Sequence, residues 1–118
     1  MLILNPTLSM GHHVLLNLYD CANVGRLSAV KEFRDHICLV LAASGAEVVD
    51  TMEYQFQPQG YTLISLLTTS HFSIHTWPEY QSAAVDIFTC GDVDTDNIVS
   101  SLIEFFSASR TTYQDVLR

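Results

Sequence analysis

Basic residues are scarce in this chain. Five Lys and Arg stand against 13 Asp and Glu, a formal net charge of −8. A nucleic-acid footprint needs clustered Lys and Arg, and so does a polybasic membrane anchor, so both are excluded. Cysteine is sparse as well. Cys21, Cys38 and Cys90 are odd in number and form no CxxC pair, so no disulfide framework is written here. Reduced thiols in a cytoplasmic protein are the expectation. No apolar run reaches the roughly 20 residues of a spanning helix, which argues against a membrane partner. Residues 1–10 read as an irregular lead-in. They lack a basic stretch, and Pro6 breaks their short apolar run, so they do not read as a signal peptide. No repeat or low-complexity linker divides the chain, and 118 residues suit one domain.

What is present is apolar. Hydrophobic residues make up 48% of the chain, with a mean hydropathy of +0.22. A small domain has much surface to cover, so excess apolar surface points to a subunit interface and a homo-oligomer. The acidic balance favours a cationic small ligand through its long-range field.

Taken in order, His13–Tyr19 reads as a short buried strand. Asp20–Gly25 is a turn, with Asn23 as the expected cap of a helix over Arg26–Ser44. That helix carries Leu27, Val30, Phe33, Ile37 and Leu41 on one face, and Gly45 ends it. Glu47–Phe56 and Tyr61–Thr68 read as strands joined by the turn Gln57–Gly60. Ser70–Trp77 and Ser82–Cys90 are two more, turned by Pro78–Tyr80. Asp94 or Asp96 caps a second helix through Ser107, with Ile98, Leu102, Phe105 and Phe106 inward. Thr111–Leu117 closes as a strand. The order β-α-β-β-β-β-α-β predicts an α+β fold of two layers, an antiparallel sheet with two helices on one face. Pairing of that sheet with a second copy, as an αββα sandwich, covers its other face.

Reactive groups concentrate between Thr68 and Gly91: Ser70, His71, His75, Trp77 and Cys90. Serine is a weak nucleophile until a base or a strained setting activates it. Strand alternation puts Ser70, Phe72 and Ile74 on one face and His71, Ser73, His75 and Trp77 on the other. A regular strand therefore does not bring His75 to Ser70. Either the strand is irregular there or another chain segment completes the site. A zinc site of His71, His75 and Cys90 is a competing arrangement, but it lacks a fourth ligand. Trp77-Pro78-Glu79 offers an aromatic face and a carboxylate suited to a nucleoside, or else a core Trp and a surface turn.

The run SHFSIHTWPEY from Ser70, followed by AAVDIFTCGD from Ala83, closely resembles the prokaryotic S-adenosylmethionine decarboxylases. GHHVLLNLYDC from Gly11 and FQPQG from Phe56 extend the likeness to nearly all of the chain after residue 10. The resemblance implies a proenzyme, residues 1–118, that cuts itself between Thr69 and Ser70. The Ser70 hydroxyl attacks the preceding carbonyl, and elimination leaves a pyruvoyl group as a built-in cofactor. That group forms a Schiff base with the substrate amine and acts as electron sink for CO₂ loss. The same resemblance gives His75 a proton-moving role in processing, with Thr62 in the place of a second processing serine. It makes Cys90 the acid that protonates the product carbon. Phe56 stacks on the adenine and Glu79 holds the ribose, beside Trp77. It implies S-adenosylmethionine as substrate, polyamine biosynthesis as the pathway, a homodimer of processed protomers and no metal.

The chain departs from the family at Thr69, where Glu is usual, and over Tyr61-Thr62-Leu63, where Val-Ser-Gly is usual. These changes leave two alternatives open. One is a pyruvoyl decarboxylase of ornithine or arginine. The other is an uncleaved, non-enzymatic homologue.

Overall fold

The computed structural model describes residues 9–118, so most of the expected lead-in lies outside the described residues. Six strands form one sheet: β1 His12–Cys21, β2 Val48–Gln55, β3 Tyr61–Leu67, β4 Ser70–Trp77, β5 Ser82–Thr89 and β6 Ala108–Leu117. Their order is β2-β3-β4-β5-β1-β6, and every neighbouring pair is antiparallel. Two helices, α1 Val30–Ala43 and α2 Thr95–Phe106, cover one face, as expected.

Period-two alternation selects that face. Leu16, Leu63, Phe72, Ile74, Val85 and Ile87 point towards the helices and are buried. Phe33 of α1 is the hub of the core. Its ring lies 6.3 Å from Phe72, 5.7 Å from Tyr61 and 5.5 Å from Phe106, tying both helices to the sheet. The outward positions are not uniformly polar. Leu15, Met52, Tyr54, Ile64, Leu66 and Trp77 leave the second face apolar and exposed.

The first helix starts later than its apolar spacing predicts. Val24–Leu27 forms a 3₁₀ turn, and α1 begins only at Val30. The reason lies in the sheet. The Tyr61 hydroxyl donates to the Arg26 carbonyl at 2.9 Å, and the Thr76 hydroxyl donates to the Leu27 carbonyl at 2.7 Å. Those carbonyls are the ones a helix begun at Arg26 would offer its own N–H groups. Asn23, the expected cap, makes no capping bond with its side chain. Burial pushes the Tyr61 hydroxyl well above the usual phenol range, so it acts only as a neutral donor here.

The other boundaries follow their signals. The Ala46 N–H reaches the Leu41 carbonyl at 2.9 Å and the Gly45 N–H reaches Ala42, with Gly45 at φ +89°, so glycine ends α1 as expected. Asp94, rather than Asp96, caps α2 by accepting from the Asn97 N–H at 3.0 Å. Strand β6 begins three residues before Thr111, because α2 ends sharply at Ser107 with φ 51° and the chain enters the sheet at once.

Candidate active site

Strands β3 and β4 form a hairpin whose turn is only Thr68-Thr69, since Leu67 pairs with Ser70. Two-residue hairpin turns want positive φ at their centre, which suits Gly and Asn and not β-branched residues. Here the positive φ falls on Ser70 instead, at 155°. A non-glycine residue in such a region costs about 1–3 kcal/mol. The irregularity admitted by the strand parity therefore sits at Ser70 itself.

Cys90, just past β5, lies against this bond. Its thiol donates to the Thr69 carbonyl at 3.4 Å. The Thr68 N–H is held by the Glu47 carbonyl at 3.0 Å. The Thr69 hydroxyl is buried without a partner. Of the other thiols, Cys21 is a core side chain, pushed up to about 11 by burial and then by the Asp20 charge, which leaves it inert.

The remaining candidates gather at the other end of β4. Thr62 Oγ1 and His75 Nδ1 are hydrogen-bonded at 2.8 Å across the hairpin. Both line a cleft of about 370 Å³ with Phe56, Trp77 and Glu79. Trp77 stands 6.3 Å from the His75 ring, and Tyr54 braces Phe56 at 4.9 Å. Below them Thr76 turns inward, accepts from the Tyr61 N–H at 2.9 Å and fixes the cleft floor. Gly60 has φ +89°, and a Cβ there would meet the Thr76 carbonyl at 3.1 Å, so the loop Gln57–Gly60 closes only with glycine.

The chain thus holds two separate groups of candidate residues. Ser70, Thr69 and Cys90 lie together, as do Thr62, His75, Phe56, Trp77 and Glu79. Ser70 and His75 are five positions apart along the strand, about 16 Å at the usual rise. The zinc arrangement gains no support from geometry. His71 and His75 are four residues apart on a straight strand, and among the described residues no three His, Cys, Asp or Glu side chains converge.

One pair escaped the sequence. His13 Nε2 and Asp86 Oδ1 are 2.9 Å apart on the second sheet face, and the rings of His13, His71 and Phe88 cluster, with the two histidine rings 6.5 Å apart. Only the pairing of β1 with β5 brings them together, and no local signal announces a pairing between strands so far apart in sequence.

The S-adenosylmethionine decarboxylase family model matches residues 12–118. An S-adenosylmethionine decarboxylase proenzyme of Thermomicrobium roseum is 39% identical over 93% of this chain and 94% of its own length. One of Parasynechococcus marenigrum is 46% identical over 83 residues, 70% of this chain, and the match spans 64% of that relative. The crystal structure of the adenosylmethionine decarboxylase of Aquifex aeolicus superposes with a TM-score of 0.85 at 32% identity, covering 93% of this chain and 91% of that one.

Proposed function

Because the chain belongs to the S-adenosylmethionine decarboxylase family of carboxy-lyases, we propose that it cuts itself between Thr69 and Ser70 and decarboxylates S-adenosylmethionine for polyamine biosynthesis. The observation that carries this is the contact of the Cys90 thiol with the Thr69 carbonyl, beside a serine held at φ 155°.

The residues at the turn fit the formation of a pyruvoyl group from Ser70. Its hydroxyl follows the Thr69 carbonyl directly, and attack converts the amide to an ester. The Cys90 S–H is aimed at the oxygen on which negative charge develops. Breaking the chain there relieves the backbone conformation of Ser70. The two pieces stay joined, because β3 and β4 remain paired from Leu67–Ser70 to Thr62–His75. Once formed, the pyruvoyl group supplies the electron sink for decarboxylation.

The two groups, each half of a site, argue for a dimer. His75 and Thr62 lie too far from Ser70 of the same chain to serve it, and the exposed apolar sheet face needs cover. Two sheets packed face to face about a two-fold axis that lies across the strands run their β4 strands in opposite directions. The Ser70 end of one protomer then meets the cleft end of the other. In that arrangement Thr62 orients His75, and His75 moves protons at the second copy's Ser70. Phe56 and Trp77 supply stacking surface for an adenine, and Glu79 accepts hydrogen bonds from a ribose diol. Two aromatic rings and a carboxylate suit a nucleoside better than the aliphatic chain of ornithine or arginine. The test is CO₂ release from carboxyl-labelled S-adenosylmethionine, ornithine and arginine in parallel. Release from S-adenosylmethionine alone is expected. Release from either amino acid in preference would move the substrate assignment, and release from none would leave an uncut homologue.

A further inference from the structure

Resting on this self-cleavage, we propose that the cut does more than make the cofactor. It also installs the group that holds Cys90 in its acid form, the new C-terminal carboxylate of Thr69. The chemistry fixes where the charge appears. Ser70 Oγ bonds to the Thr69 carbonyl carbon as the C–N bond breaks. Loss of the Ser70 Cα proton then breaks the Cβ–Oγ bond, and Oγ leaves with Thr69 as a carboxylate. The resulting enamine is protonated at Cβ, one water adds at Cα, and one ammonia departs. The oxygen that accepted the Cys90 S–H at 3.4 Å in the uncut chain is now one oxygen of an anion.

A carboxylate within hydrogen-bond reach disfavours a thiolate twice, by like-charge repulsion and by bonding the neutral S–H. Thr69 and Cys90 are both half-buried, where solvent screens this repulsion less than in bulk water. An acid that must deliver a proton to carbon has to keep that proton; a free thiol is mostly protonated at neutral pH, and the carboxylate strengthens that hold where it is needed. A second observation points the same way. The Thr69 hydroxyl is buried without a partner in the uncut chain. A carboxylate on its own residue gives it an acceptor. The other titratable and charged groups on the segments next to Cys90 are His71 on β4, His12 and His13 on β1, Glu47 before β2, Asp92 and Asp94 after β5, and Arg118, whose guanidinium lies 4.9 Å from the Phe88 ring. All are present before and after the cut, so a difference between the two forms reports the carboxylate.

A partly processed preparation carries its own control. Iodoacetamide labelling is followed by intact mass, with peptide digestion separating Cys90 from Cys21 and Cys38. The carboxylate leaves about tenfold less thiolate at a given pH, and the greater nucleophilicity of a more basic thiolate reduces this to a rate about threefold slower. Cys90 on cut chains should label more slowly by that factor near neutral pH, with its rate profile displaced to higher pH. The plateau at high pH reports access to the thiol, the displacement reports its proton. The Ser70→Ala chain should label like the uncut wild-type chains. Cut chains that label at the same pH as uncut ones, or at lower pH, overturn this proposal and leave self-cleavage standing. Chains that are never cut sink both.

Discussion

Co-expression of Ser70→Ala and His75→Ala chains tests the division of the site between two copies. Along β4 the two residues are about 16 Å apart, five residues at the usual rise, several times a hydrogen-bond length. Each homodimer lacks the same half-site at both positions. Each should therefore fall at least about a hundredfold in activity, the lower range for losing an acid–base group. In a mixed dimer one site joins an intact Ser70 to an intact His75, while the other carries both defects. Every dimer recovered through both tags is mixed and has one whole site in two, so activity should return to about half of wild type. The assay is CO₂ release from a preparation purified through a different tag on each chain, with intact mass showing that the His75→Ala chains become cut. A verified mixed dimer as inactive as its parents would refute the shared site and require Ser70 and His75 to meet within one chain.

Other outcomes follow from single contacts. Thr62→Val removes the hydroxyl bonded to His75 and should slow self-cleavage about tenfold, roughly 1.4 kcal/mol, while Thr62→Ser should restore it; appearance of the cut fragment over time on a denaturing gel reads both. Phe33→Ala empties the hub between sheet and helices and should cost about 3–5 kcal/mol in urea unfolding without removing any site residue. Burial, followed by the Arg26 charge, holds His36 below its ordinary value of 6.5, so the imidazole stays neutral in the fold and protonates first in the unfolded chain. The stability this represents is full above about pH 6.5 and is lost as pH falls towards the folded value, so His36→Gln should flatten the acid limb of urea midpoints measured between about pH 7.5 and pH 5.5.

The sheet and its helix-covered face were legible because inward positions repeat at period two in the strands and at three to four in the helices. The Asp94 cap and the Gly45 stop were legible from single residues. The start of α1 was not, because a hydroxyl from β3 and another from β4 occupy its first carbonyls, a tertiary effect invisible to local spacing. The length of β6 was hidden because its residues are mostly exposed and carry no apolar rhythm. At the site, alternation alone separated Ser70 from His75, and the structure widened that separation into two groups of residues. His13 and Asp86 lay beyond any local pattern because 73 positions divide them. The cleft residues were read from the family likeness rather than from spacing, since an aromatic, a turn and a carboxylate occur together on many surfaces.

Intact mass spectrometry of the purified protein addresses self-cleavage most directly. Two fragments are expected, one ending at Thr69 as a carboxylic acid and one beginning at position 70 lighter than its serine form by one ammonia. A single full-length mass that persists on long incubation, or a cut at any other bond, would contradict it.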